Sequence, residues 1–444
     1  MTSTKSGCSF RLRGVFLKPI DWGRNAKILV ATEPLWSIPM SWIYFYRSIF
    51  LKEAVGLSEV QIGLLSTIIT VSSIFLPIAG GYLADRFGRK RTLMLFDSLS
   101  WVPSLAIWIV TRNFWYAFAA YLLEGLACVI YSVWDCLLVE DTAPKGRSGI
   151  YGYVSLIYNL GTFSTPVAGY LIGSLGVDPG MRILFAVALV SIALMLGIRQ
   201  TYLRETEVGY QIMKEKEIVG LKGYLSSLSI IRKNRVISAL LFVSAVSSFY
   251  LSVNIYLSLL LITKNGLGLS EELASWMPLA ISLSALTLNI FVVPKLTTRS
   301  SYSKTLILSH FFGGLGLTLL IFSPKGVLYP VFISGILLGI YQASSFSVSK
   351  TFLTNEIEIA DPKARAKILS VTTTFSSLVS LPVPVLAGYL FSLEPRFPFI
   401  LTAGFIILGL IVIALATRRT RLTFILPLLM NPSSSSLHVL LLKA

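Results

Sequence analysis

Four acids interrupt apolar runs in this chain, and an acid so placed invites proton chemistry. Glu124 lies about ten residues into a stretch that opens near 114, roughly 15 Å along a helix rising 1.5 Å per residue. Residues at i, i+4, i+7 and i+11 share one helical face, which aligns Glu124 with Cys128, Tyr131 and Asp135. Desolvation there favours the neutral carboxyl, the setting required of a group that takes up and releases a proton. The alternative is a carboxyl held neutral by a neighbouring hydroxyl in helix packing. Glu33, about 10 Å into an earlier run and followed by the helix-disturbing Pro34, is a second such group, and Asp135 and Asp97 complete the set. Asp135 falls near a run's end, where it can instead pair with the basic loop 86–91.

A charged turn is written twice. Residues 140–147 read EDTAPKGR and residues 358–365 read EIADPKAR, identical at Glu140/Glu358, Pro144/Pro362, Lys145/Lys363 and Arg147/Arg365. Other matches keep the same order: GLSE at 56–59 and 268–271, Leu83, Arg86, Thr92 and Leu93 against Leu296, Arg299, Thr305 and Leu306, and AGYL at 168–171 and 387–390. Slowly rising offsets near half the chain length indicate one duplicated unit.

The elements that carry these residues are membrane spans. The chain has 444 residues, is 54% hydrophobic and only 13% charged, and has a mean hydropathy of +0.75, unlike a water-soluble domain. Apolar runs of about 20 residues recur twelve times, near 26–50, 60–83, 92–111, 114–138, 149–173 and 182–200, then 236–262, 272–294, 304–323, 326–349, 366–391 and 398–417. The expected fold is therefore an all-α membrane protein in which twelve transmembrane helices form two pseudo-symmetric six-helix bundles. Its divisions are an N-terminal segment 1–25, bundles 26–200 and 236–418, a linker 201–235 and a tail 419–444. The tail's apolar run is too short to span and carries Pro427, so a thirteenth crossing is not expected.

With the N-terminus inside, 31 Lys and Arg fall in inner segments and seven in outer ones, so both termini are expected in the cytoplasm. The net charge of +17 is then a matter of topology and contact with membrane lipid, and nucleic acid is not an expected partner. Cys8, Cys128 and Cys136 have no paired spacing and only His310 and His438 accompany them, so neither a disulfide framework nor a metal site is expected. No P-loop motif is present, which argues against ATP-driven pumping.

Between the second and third runs stands GGYLADRFGRKRTL. Gly81 allows close helix contact, Gly88 a tight turn, and Arg89, Lys90 and Arg91 hold the turn inside. The pattern Gly81, Leu83, Asp85, Arg86, Gly88, Arg89, Lys90 resembles the signature loop of the major facilitator superfamily, and GLSEVQIGLL resembles that superfamily's entry into its second span. The resemblance implies a latch in which Asp85 and Arg89 stabilise the outward-open state through contacts with helices 4 and 11. It also places Asp97 at the periphery. Two exporter patterns are degraded: Tyr121 stands where span 4 of proton-coupled exporters has arginine, and span 5 keeps Gly161, Pro166 and Gly169 but has Thr165 and Tyr170 at glycine positions.

The resulting expectation is a secondary-active transporter, not an enzyme, with no cofactor, acting as a plasma-membrane monomer. Its substrate is a small neutral or cationic organic molecule, because among basic residues only Arg47 and Lys350 approach the hydrocarbon zone. Proton coupling through Glu33, Glu124 or Asp135 is expected, with export ahead of uptake of a sugar-like nutrient; a polytopic enzyme is the remaining alternative. Trp36, Tyr131, Tyr158, Asn159, Tyr250, Asn254, Gln342 and Thr373 are the expected cavity residues.

Overall fold

The computed structural model describes residues 22–142, 144–214, 231–360 and 365–430, and all regular structure among them is helical. Helices satisfy every backbone polar group within one segment, which is what apolar surroundings demand of sequences this poor in charge. Nine described helices are long and apolar enough to cross a membrane: Glu59–Phe87, Arg89–Val110, Val177–Tyr202, Arg235–Asn254, Glu271–Lys295, Arg299–Ile321, Leu328–Ala360, Val371–Leu393 and Phe397–Thr417. A tenth, Phe114–Val129 with Val133–Val139, is bent by 41°.

The first and fifth expected spans are each broken at a proline. Arg24–Thr32 gives way to Pro34–Ile49, and Pro144–Phe163 to Thr165–Leu175 with Pro166 in its first turn. Proline lacks an N–H and crowds the preceding turn, so the helix restarts at each. The first break leaves Glu33 between two helical pieces, where it projects into the first bundle.

The duplication shows in backbone geometry as well as in letters. Gly56 and Gly268 of the two GLSE copies both take positive φ, +76° and +62°, and Ser58 and Ser270 each accept a backbone N–H at 3.3 Å to start the next helix. Arg89 pairs with Glu140 in the first half, and Arg299 grips Glu356 with two nitrogens in the second. Glu356, rather than Glu358 of the repeated turn, fills that place. Pro362 and the side chains of Pro144, Arg147 and Arg365 lie outside the described residues.

The halves are joined at the end of the bundle opposite the loop at Gly88. There the Tyr46 hydroxyl donates to Glu271 O (2.6 Å), Ser48 to Ile255 O (2.6 Å), and Tyr256 to both Glu59 O and Pro384 O (2.9 Å each). Gly63 and Gly388 let the second and eleventh spans approach until any side chain would strike the facing carbonyls of Pro384 and Glu59. One apolar core runs through both halves, through Met40, Ile43, Tyr256 and Leu257, while the second half has its own around Leu240, Phe352 and Ile413. After Arg204 a short helix, Glu207–Lys214, begins the linker, and the final helix runs on from Phe397 to Met430, continuing where a separate tail was expected.

Candidate functional site

Glu33 meets two partners that the sequence places far away. Arg199, near the end of Val177–Tyr202, donates to Glu33 Oε2 at 2.7 Å, to Asp97 Oδ2 at 3.3 Å and to Thr32 Oγ1 at 3.0 Å. Trp101 Nε1 donates to Asp97 Oδ1 at 3.0 Å, and the Tyr158 hydroxyl to Glu33 Oε1 at 2.9 Å. Glu33, Asp97 and Arg199 are 4%, 4% and 2% exposed. Two carboxyls and one guanidinium in so dry a place leave one acid without a countercharge, and an uncompensated buried charge is relieved by binding a proton.

This cluster revises two expectations. Asp97 is not a peripheral acid but a member of a buried triad. Basic residues in the apolar zone are not confined to Arg47 and Lys350: Arg199, counted from sequence among the inner loop charges, reaches back into the bundle. Its position in the last turn of a span gave no sign of which way the long side chain would point.

Glu124 belongs to a separate pair. Arg47 Nη1 lies 2.6 Å from its Oε2, Trp108 Nε1 donates to Oε1 at 2.6 Å, and the guanidinium covers the Tyr121 and Tyr44 rings at 4.5 and 5.2 Å. One acid meets one base here, so the charges balance. The expected face from Glu124 through Cys128 and Tyr131 to Asp135 is twisted by a short 3₁₀ turn, Leu126–Val129. Glu124 and Cys128 are buried, whereas Tyr131 and Asp135 are exposed. Asp135 accepts from Tyr151 at 3.5 Å and feels the charge of Lys350 in the opposite half.

Between the halves lies a cavity of about 420 Å³. Tyr158, Asn159, Asn254 and Gln342 line it, four of the eight residues expected there. The other four are elsewhere. Trp36 packs behind the wall against Tyr44, Trp101 and Tyr158; Tyr250 is buried edge-on to Tyr341; Tyr131 and Thr373 are exposed outside the lining. Tyr44, Phe45, Asn289 and Phe346, together with small hydroxyl residues such as Ser41 and Ser282, complete the wall. The extra polar residues recur within apolar runs, a signal visible in the sequence, but Ser and Thr also bond backbone within helices. Among the described residues, no Asp, Glu, Lys, Arg or His contributes to the lining. Neither Glu33 nor Glu124 is among the lining residues; Glu33 stands behind Tyr158, and Glu124 lies behind Arg47, whose guanidinium covers the lining residue Tyr44.

At the opposite end from the joined helices, Gly88 has φ +93° and starts the third span. Glu205 caps that start, accepting the Arg89 and Lys90 N–H groups at 2.9 Å each. Arg89 bonds Glu140 at 2.7 Å and Asp85 at 3.3 Å, and Thr206 also donates to Glu140. The Asp85 side chain is 56% exposed, Gly81 has open space where a Cβ would stand, Arg86 bonds Tyr82, and Lys90 Nζ donates to Gln200 O. Asp141, in the turn beyond, is pushed above the usual aspartate range by burial and then by Glu140 and Glu207.

A sequence model of the Major Facilitator Superfamily matches residues 37–264 and 243–425, nearly the whole chain. The chain belongs to that superfamily. It is a multi-pass membrane protein of a transporter family, not of an enzyme family. Among characterised superfamily members it is 26% identical over 243 residues to a Na(+), Li(+), K(+)/H(+) antiporter of Planococcus maritimus, covering 52% of this chain and 55% of that one. It is 21% identical over 358 residues to multidrug resistance protein 2 of Bacillus subtilis (strain 168), covering 80% and 86%. The chain spans about half or less of the first of these relatives it matches. The crystal structure of the nucleoside transporter NupG shares the fold, with a TM-score of 0.67 at 11% identity over 88% of this chain and 99% of that one.

Proposed function

We propose that this superfamily member carries a small, uncharged, hydrogen-bonding solute by alternating access, driven by a proton bound at Glu33, Asp97 and Arg199. The observation that carries the reading is the unbalanced buried triad set one side chain behind a cavity whose described wall residues carry no charge. An ionic substrate needs a countercharge in such a site, so the uncharged wall favours the neutral half of the expected substrate range. The Arg47–Glu124 pair is balanced and serves the architecture, and Asp135 feels the charge of Lys350 from the other half.

The Lys and Arg distribution supports a cytoplasmic Gly88 end. The halves are then sealed at the outer end, and the molecule faces inward. In that state the Asp85 side chain is largely exposed, while Arg89 keeps its bond to Glu140 at the end of the fourth span. The chain works in the plasma membrane, both termini cytoplasmic, as a monomer.

The names of the two relatives fit export in exchange for ions. The second reading, uptake together with a proton, is supported by Tyr158, which lines the cavity and donates to Glu33.

Purified protein in proteoliposomes, given labelled hexoses, pentitols, nucleosides and neutral drugs under imposed pH gradients, tests the proposal. At least one uncharged solute is expected to accumulate with the gradient and to stop doing so with a protonophore. Glu33→Gln is expected to keep solute exchange while losing gradient-driven accumulation. Flux indifferent to the pH gradient, or carried only for charged solutes, refutes it.

A further inference from the structure

We infer that the cavity reads hydrogen-bond direction, and that the solute it fits is a small neutral cyclic amide or imide, with N–H donors and C=O acceptors fixed on a flat ring. The inference rests on the cavity being the solute site and deepens that reading by naming the chemical class.

The two walls differ in what they can donate. Among the described residues, six hydroxyl side chains of the first half line the cavity, and four of them spend their single hydrogen inside the protein. Ser41 gives it to Ile38 O at 2.7 Å, Tyr158 to Glu33 Oε1 at 2.9 Å, Thr162 to Tyr158 O at 3.2 Å and Thr165 to Thr162 O at 2.6 Å. A hydroxyl so committed can only accept from a solute. Asn159 Nδ2 donates to Ser155 O at 2.7 Å; a carbonyl cannot donate, so this bond identifies the nitrogen end and leaves Oδ1 to accept. The first-half wall is therefore rich in acceptors.

The facing wall is richer in donors. Asn254 of the seventh span, Asn289 of the eighth and Gln342 of the tenth line the cavity with no side-chain hydrogen bond to another described residue, so each offers two N–H groups and a carbonyl. A carboxamide pairs edge to edge with a planar partner that has a donor beside an acceptor, as Asn and Gln do with adenine. An amide or imide ring has such an edge for the carboxamides and further N–H for the opposite acceptors. Tyr44 and Phe45 from one half and Phe346 from the other add aromatic surface suited to a flat ring. A polyol carries hydroxyls on both faces and would strand some of them against those rings.

Calorimetry on the full-length protein in detergent at neutral pH, with no pH gradient, tests this with uracil, hydantoin and succinimide, each beside its fully N-methylated form, and with erythritol. N-methylation keeps the carbonyls and deletes the N–H donors. At least one parent ring is expected to bind, and its methylated form at least tenfold more weakly, since acceptors built to take an N–H are then left unpaired. Gln342→Met, which keeps the length of the side chain and removes its amide, is expected to weaken binding of that ring about tenfold or more; Asn254→Leu serves should that variant fail to fold. Thr373→Val, outside the lining, is expected to leave the affinity unchanged. Equal affinity for a ring and its methylated form, binding of erythritol ahead of every ring, or no loss in either carboxamide variant overturns the inference. Erythritol bound at a site that Gln342→Met weakens leaves the cavity reading standing without this class, whereas no binding of any probe together with no transport of any uncharged solute removes both.

Discussion

Removing Arg199 and removing Asp97 are expected to have opposite consequences, although the two side chains touch. Arg199→Met strips the only cation from a site where Glu33 and Asp97 are each about 4% exposed. Taking one partner from a buried ion pair costs about 3–5 kcal/mol, since the charge left behind has neither water nor a countercharge. With an unfolding entropy near 2.1 cal/mol/K per residue over some 400 ordered residues, that loss lowers the melting temperature by about 4–6 °C. Asp97→Asn removes the surplus acid instead. It leaves the 2.7 Å Arg199–Glu33 pair and an amide oxygen still able to accept from Trp101, so the expected change is under about 1 kcal/mol, or a slight gain. Thermal unfolding followed by size-exclusion recovery in detergent at neutral pH reads both. The triple variant Arg199→Met, Glu33→Gln, Asp97→Asn is expected to recover most of the single arginine loss. Equal destabilisation by Arg199→Met and Asp97→Asn, or no recovery in the triple variant, refutes the charge-imbalance argument.

Gly388→Ala is expected to prevent the outer seal, because the added methyl would strike the Glu59 carbonyl; cysteines placed at the sealed end should become labelled, and unchanged labelling would count against the seal. Arg47→Met and Glu124→Gln are each expected to lower folded yield, by removing one member of a pair whose acid is 3% exposed, with the double variant recovering part of it. Retained yield in Glu124→Gln with loss of proton-driven flux would instead return Glu124 to the coupling role.

The periodic apolar runs and the duplicated turns make much of the architecture legible from sequence, since both depend on local composition. GLSE is the clearest case: Gly56 and Gly268 have the φ > 0 freedom the turn needs, and the serines that follow cap helices as their letters imply. The signature loop was likewise readable through Asp85, Gly88 and Arg89. Its partner Glu205 was not, because the capping carboxylate arrives from beyond the sixth span.

Composition decided that this chain lives in lipid, and Pro34 decided where the first span breaks beside Glu33. Sequence spacing, however, describes only residues on one helix. The choice among the acids was made by tertiary packing: Glu124 drew one arginine into a balanced pair, while Glu33 and Asp97 had to share another. That division turns on the direction of the Arg199 side chain, whose four flexible bonds let it point to water or inward, and only the neighbouring helices settle which.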